Sequence, residues 1–208
     1  MSHAPRVEGV VWDLGNVLID WVPGAAVAAG VGEQEAERFL AADDLDFRAF
    51  NHGPDSGRTW DDALAEVERR TPHWLPHARA YREHFAASLV GDVAGSGALV
   101  RALHARGVPM WGLTNWSHEL YPHAPALFPV LSLLRDVVVS GTEGVAKPDP
   151  AIFAVLAGRV DRPLEHLLLV DDRAENVEAA RAAGMAGLVF TDADILRADL
   201  VERGLLPA

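Results

Sequence analysis

"VVWDLGNVLIDW", Val10 to Trp21, starts as an unbroken apolar run, stops on Asp13 and turns through Gly15-Asn16. A run this short that ends on a charged residue reads as a buried strand with an aspartate at its tip. Three more stretches have the same shape: Val108–Leu113, which runs into Thr114, Val137–Val139, and Leu167–Val170, which runs into Asp171-Asp172. Gly187–Phe190 reads as a fifth. Helical patterns separate the later runs: Ala98–Arg106 closes on Gly107, Pro150–Gly158 opens after Pro-Asp, and Glu175–Ala183 closes on Gly184. Near-continuous apolar strands that alternate with helices imply a doubly wound parallel α/β sheet, covered on both faces. Such sheets bind ligands at the carboxyl ends of their strands, where Asp13, Thr114 and Asp171-Asp172 fall.

The spacing breaks once. Asp13 and Thr114 lie 101 positions apart, against 33 from Thr114 to Lys147 and 25 from Lys147 to Asp172. The extra length holds "EQEAERFLAA", "WDDALAEVERR" and "HARAYREHFAASL", all helical in pattern, and returns through the glycine-rich "GDVAGSGA". The expected organisation is a core of residues 1–19 and 91–208 with a small helical insertion over 20–90.

Composition narrows the function. Half of the 208 residues are apolar and 23% are charged, as in a folded globular chain. No apolar run approaches the roughly 20 residues of a membrane span, and the first residues carry no apolar signal segment. A formal charge of −12 argues against nucleic acid and anionic membranes as partners. There is no cysteine, which excludes disulfides and thiolate zinc and agrees with a cytoplasmic location. The nine histidines show no paired metal spacing. Seventeen of the 18 basic residues are arginine and one is Lys147, while three of the four asparagines (Asn16, Asn115, Asn176) stand beside strand ends. An anionic substrate therefore needs local positive charge.

A single aspartate at a strand end is commonly a turn former or helix cap. The constellation says more. A carboxylate nucleophile, a hydroxyl, one ammonium and a second carboxylate for a divalent cation suffice for phosphoryl transfer, which needs mainly positioning and charge neutralisation.

With these residues assembled, the sequence resembles the haloacid dehalogenase superfamily over essentially its whole length. "VVWDLGNVL" looks like the first motif, "MWGLTN" the second, "GVAKPDPAIF" the third and "LLLVDDRAENVEAARAAGM" the fourth. The resemblance implies a Rossmann-like core, with residues 20–90 as the helical lid the family calls a C1 cap. Its closest wording is that of sugar-1-phosphate phosphatases and the phosphatase domain of soluble epoxide hydrolases. It implies a phosphatase for a small phosphorylated metabolite, with Asp13 as nucleophile and Mg²⁺ held by Asp13, the Gly15 carbonyl and Asp172. Thr114 and Lys147 would complete the catalytic set and, with Asn16 and Asn115, bind the phosphoryl group. It leaves monomer and homodimer both open.

Most phosphatases of this family carry a second aspartate where this chain has Gly15, serving as general acid and base. Asp20, Asp171, Asn176 and His118 are the nearby groups for proton transfer or support. The same gap admits two other readings: a metal-independent 2-haloacid dehalogenase, or a domain that binds a phosphorylated ligand without turnover. Asp172 favours the metal-dependent phosphatase, since a dehalogenase has no cation to hold there. Trp60 and Trp74 are expected as anchors of the helical insertion, Trp116 and Tyr121 as packing beneath it, and Asp43–Asp46 as a solvated helix end.

Overall fold

The computed structural model describes residues 6–208, so the first five residues of the expected core segment lie outside the described chain. Among the described residues, seven strands divide between two sheets. The larger is built from β1 (Gly9–Trp12), β4 (Met110–Thr114), β5 (Val137–Val139), β6 (Leu167–Asp171) and β7 (Ala186–Val189), in the order β5-β4-β1-β6-β7 and wholly parallel. The smaller is an antiparallel ribbon of β2 (Ile19–Trp21) and β3 (Leu89–Asp92).

The sheet's interior follows from its sequence. β1, β4 and β6 are buried along their full length, as apolar strands covered on both faces must be. Alternation sorts their side chains between two cores: Val10, Trp12, Leu168 and Val170 face one side, and Val11, Trp111, Leu113, Leu167 and Leu169 the other. β1 lies in the middle, with Val11 in register with Trp111 on one side and Leu169 on the other. The chain order reverses across β1, which makes its carboxyl end the topological switch point. Asp13 is the first residue beyond it.

The core helices are α6 (Ser96–Ala105), α7 (His123–Leu127), α8 (Ser140–Glu143), α9 (Pro150–Arg159), α10 (Ala174–Ala182) and α11 (Ala193–Glu202). Pro150 occupies the first turn of α9 and Asp149 caps it by accepting from the Ala151 N–H at 2.8 Å. Five helices lie between the strands of the ribbon: α1 (Pro23–Val31), α2 (Glu33–Leu40), α3 (Phe47–Asp55), α4 (Trp60–Arg70) and α5 (Leu75–Glu83). Phe39, Phe47, Trp60, Trp74 and Tyr81 pack their interior in edge-on and tilted pairs. No helix among the described residues is long and apolar enough to cross a membrane.

The turn after α3 seats this helical segment on the core. Gly57 has φ +96°, and a Cβ there would lie 2.8 Å from the Gly144 Cα. Gly57→Ala is therefore expected to cost about 1–3 kcal/mol in a urea melt, from left-handed strain and lost docking. Gly158, exposed in α9 with nothing near its missing Cβ, is the control. Gly158→Ala should stabilise by about 0.4–1 kcal/mol.

Candidate active site

Asp13 is held as the next rung of the sheet, its N–H donating to the Val170 carbonyl at 2.9 Å. Its Oδ1 accepts from the Leu14 N–H at 2.7 Å and lies 3.1 Å from the Lys147 Nζ. Lys147 reaches this point from the loop after α8 with its side chain wholly buried. Its ammonium also donates to the Leu113 carbonyl and to Asp171 Oδ2, both at 2.7 Å, so its three protons have three acceptors. Asp171, the last residue of β6, accepts further from Asn176 Nδ2 at 2.9 and 3.1 Å and from the Arg173 N–H at 2.9 Å. It is saturated, and its contacts are those of a residue that orients Lys147.

Asp172 is different. It is half-buried, and its one side-chain partner among the described residues is Asn16 Nδ2 at 3.5 Å. Asn16 stands at φ +57°, the one non-glycine in the left-handed region among the described residues. Asparagine tolerates that conformation, and here it closes the turn that follows Asp13. Carboxylate oxygens of Asp13, Asp171 and Asp172 all lie within 4.8 Å of one another. Three acids face one ammonium. Burial pushes the Asp13 carboxyl up to about 7, resisted by Lys147 and reinforced by Asp171 and Asp172. Burial and Asp171 also raise Asp172. Burial opposes the Lys147 charge, but Asp13 and Asp171 outweigh it and hold the ammonium above its usual range.

Thr114 closes β4, 1% exposed, at the edge of the same cavity. Asn115 follows it, and both ends of its amide are occupied by the Lys147 backbone: Nδ2 donates to the carbonyl and Oδ1 accepts from the N–H, each at 2.8 Å. Its side-chain amide is thus taken up by the lysine loop. Asp20 is exposed on the β2–β3 ribbon and His118 is exposed in a turn, and neither lines the cavity. Within the Asp43–Asp46 run, Asp44 accepts from Trp74 Nε1 at 2.8 Å and Asp46 caps α3.

The cavity measures about 460 Å³ and opens between the strand ends and the helical segment. Asp13, Thr114 and Asp172 line it from below; Phe47, Trp60, Tyr81 and Phe85 line it from the helices. All four asparagines of the chain line it. The fourth, Asn51 in α3, escaped the sequence reading because it lies on no strand end. It donates to Asp55 Oδ2 at 2.8 Å and accepts from the Tyr81 hydroxyl at 3.0 Å. Asp55, at the end of α3, is 8% exposed, with the Ser117 backbone N–H nearby. The scarcity of asparagine was the one signal in the sequence that pointed to this corner.

Residues 7–184 match the haloacid dehalogenase-like hydrolase family. The chain belongs to that family. Among curated relatives, the sesquiterpene phosphatase astK of Aspergillus oryzae is 24% identical over 196 residues, covering 89% of this chain and 90% of that protein. The phosphoglycolate phosphatase of Salmonella typhi is 26% identical over 215 residues, covering 92% and 84%. A haloacid dehalogenase family enzyme of Bacteroides thetaiotaomicron, solved in complex with magnesium and inorganic phosphate, superposes with a TM-score of 0.67 at 17% identity, covering 89% of this chain and 95% of that one. The chain is thus a hydrolase of this family, built on the parallel α/β sheet that the resemblance implied.

The acid cluster makes stability depend on pH. Asp13 and Asp55 both have pKa values near 7 when folded, against about 4 when unfolded, so between those values the folded state binds more protons. Stability should then fall as pH rises from about 4 through about 7. In EDTA the protein is expected to melt at a lower temperature at pH 8 than at pH 5. Asp13→Asn should melt above the wild type at pH 8, a difference that shrinks at pH 5 in scanning calorimetry.

Proposed function

We propose that this protein is a Mg²⁺-dependent phosphatase acting on a small phosphorylated metabolite, with residues 20–90 as its cap. The buried acid cluster is the observation that supports this best: three carboxylates against one ammonium, at the floor of a cavity of about 460 Å³. Such an excess of buried negative charge suits a hard divalent cation with oxygen ligands. Asp13, Asp172 and the carbonyl of Gly15 are the residues to hold it, while Asp171 is already saturated. Bound there, Mg²⁺ supplies Lewis-acid neutralisation of the phosphoryl oxygens.

The chain's own residues do the rest. Asp13 Oδ1 is fixed by Leu14 and Lys147, which leaves Oδ2 to attack phosphorus and form an aspartyl-phosphate. Lys147 holds Asp13 in line and offsets charge on the transferring group. Its rigidity comes from Asn115 on its backbone and Asp171 on its ammonium. Thr114 offers a hydroxyl to a phosphoryl oxygen, and the helical segment excludes water from above. Both curated relatives named above are phosphatases, which agrees with this reading. Metal-independent dehalogenation leaves Asp172 without a role, and a binding domain needs no nucleophile locked in place by a buried lysine.

Turnover of 4-nitrophenyl phosphate with and without Mg²⁺ tests the proposal. Activity that EDTA removes and Mg²⁺ restores is expected, and folded Asp13→Asn should show none. Halide release from a 2-haloacid without metal would favour the dehalogenase reading. Phosphate binding without turnover would favour the binding domain.

Lys147→Arg keeps the charge, but a planar guanidinium cannot meet three acceptors arranged around a compact ammonium. Turnover is expected to fall by about 10²–10³-fold. The melting temperature should fall too, because nothing of this side chain reaches solvent.

A further inference from the structure

The family's second aspartate is absent at Gly15, and the structure leaves that place open: a Cβ there would meet nothing within 4 Å. Gly15 is also not among the glycines with positive φ. Something else must protonate the leaving oxygen when the phosphate ester is not activated, a contribution commonly worth about 10²–10⁴-fold. The groups close to Asp13 in the core are taken. Asp171 is saturated and Asp172 is the metal-side carboxylate, while Asp20 and His118 face away.

We infer that Asp55, delivered by α3 of the helical segment, is the acid and base that replaces the missing aspartate. It lines the same cavity as Asp13 and Thr114. Attack by Asp13 is in line, so the leaving oxygen departs away from the strand ends, towards the wall that the helices supply. The residue is fixed at two points: Asn51 donates to the carboxyl Oδ2 at 2.8 Å, and the Ser140 hydroxyl donates to the Asp55 main-chain carbonyl, while the Ser117 N–H lies near enough to the carboxyl to favour its charged form. Ser117 is itself pinned by Trp60 Nε1 at 2.9 Å, and Asn51 by Tyr81. Among the described residues no cation pairs with Asp55, which is unusual for a carboxylate with 8% exposure. The titratable groups facing it are Asp13 across the cavity and Tyr81 from α5. Burial first, and then Asp13, push its carboxyl up to about 7 against the Ser117 N–H, so it can both give and take a proton near neutrality.

The inference rests on the phosphatase reading, and its steps balance. An Asp13 oxygen bonds to phosphorus as the ester P–O bond breaks. The electron pair goes to the leaving oxygen, which takes the Asp55 proton and departs as an alcohol. Water then attacks the aspartyl-phosphate and gives a proton to Asp55, and the P–O bond to Asp13 breaks to release inorganic phosphate. One water is consumed and Asp55 is restored.

The test is Asp55→Asn, assayed with Mg²⁺ on phenyl phosphate and 2,4-dinitrophenyl phosphate, with folding checked by circular dichroism and binding of inorganic phosphate. We expect kcat on phenyl phosphate to fall at least about 100-fold, and at least tenfold more than on the dinitrophenyl ester, whose leaving group needs no proton. Adding Gly15→Asp to Asp55→Asn should recover at least tenfold on phenyl phosphate alone. Asp55→Ser, which asks no buried amide to find partners, should give the same pattern if Asp55→Asn does not fold. Equal losses on both esters, or no loss, would overturn the role of Asp55 while leaving the phosphatase standing. A wild type that hydrolyses neither ester with Mg²⁺ would overturn both.

Discussion

One buried ammonium organises this molecule. Lys147 sits without solvent contact between the Leu113 carbonyl, Asp171 and Asp13, and so ties together the ends of β4, β6 and β1. A charge taken out of water needs acceptors of good geometry, and here all three of its protons have one. The carboxylates around it outnumber it, and burial together with that surplus negative charge raises the Asp13 and Asp172 carboxyls. A single interaction thus links the register of the central strands to the chemistry at their tips.

The asparagines form the second layer of that design. Asn115 holds the lysine loop from the backbone, Asn176 holds Asp171, Asn16 closes the turn beside Asp172, and Asn51 holds Asp55. A primary amide can donate and accept at once without adding charge. In a site already short of positive charge, it positions carboxylates and a lysine without changing the electrostatic balance. That explains why a chain with four asparagines places all of them around one cavity.

The helical segment does more than cover the sheet. Trp60 reaches Glu119 with its backbone and Ser117 with its indole, Arg82 pairs with Glu119 at 2.9 Å, and Gly57 packs on Gly144. These contacts fall at the carboxyl ends of β4 and β5, beside the site. The contacts that seat the segment on the core therefore also hold Asp55 at the wall of the cavity.

The sequence alone determined the parallel α/β sheet and which polar residues stand at the ends of its strands. Fully buried parallel strands need continuous apolar runs, and a site at their ends needs polar residues directly after them; both are local patterns. Strand boundaries fell within two residues of those read from "VVWDLGNVLIDW" and its counterparts. The division of labour inside the cluster was not local. Asp171 and Asp172 are adjacent in the chain, and only the packing of Lys147 and Asn176 made one a support and left the other free. That the Asn115 side chain clamps the lysine loop follows from Lys147, 32 residues on, being brought beside it by the fold. Asp55 stands 42 residues from Asp13, at the end of an amphipathic helix with nothing in its pattern to mark it. Its environment is made by Asn51, Tyr81, Asp13, Ser117 and Ser140, which come from five separate parts of the chain. Burial and the absence of a cation are properties of the assembled cavity, and they exist only once the helices have closed on the sheet.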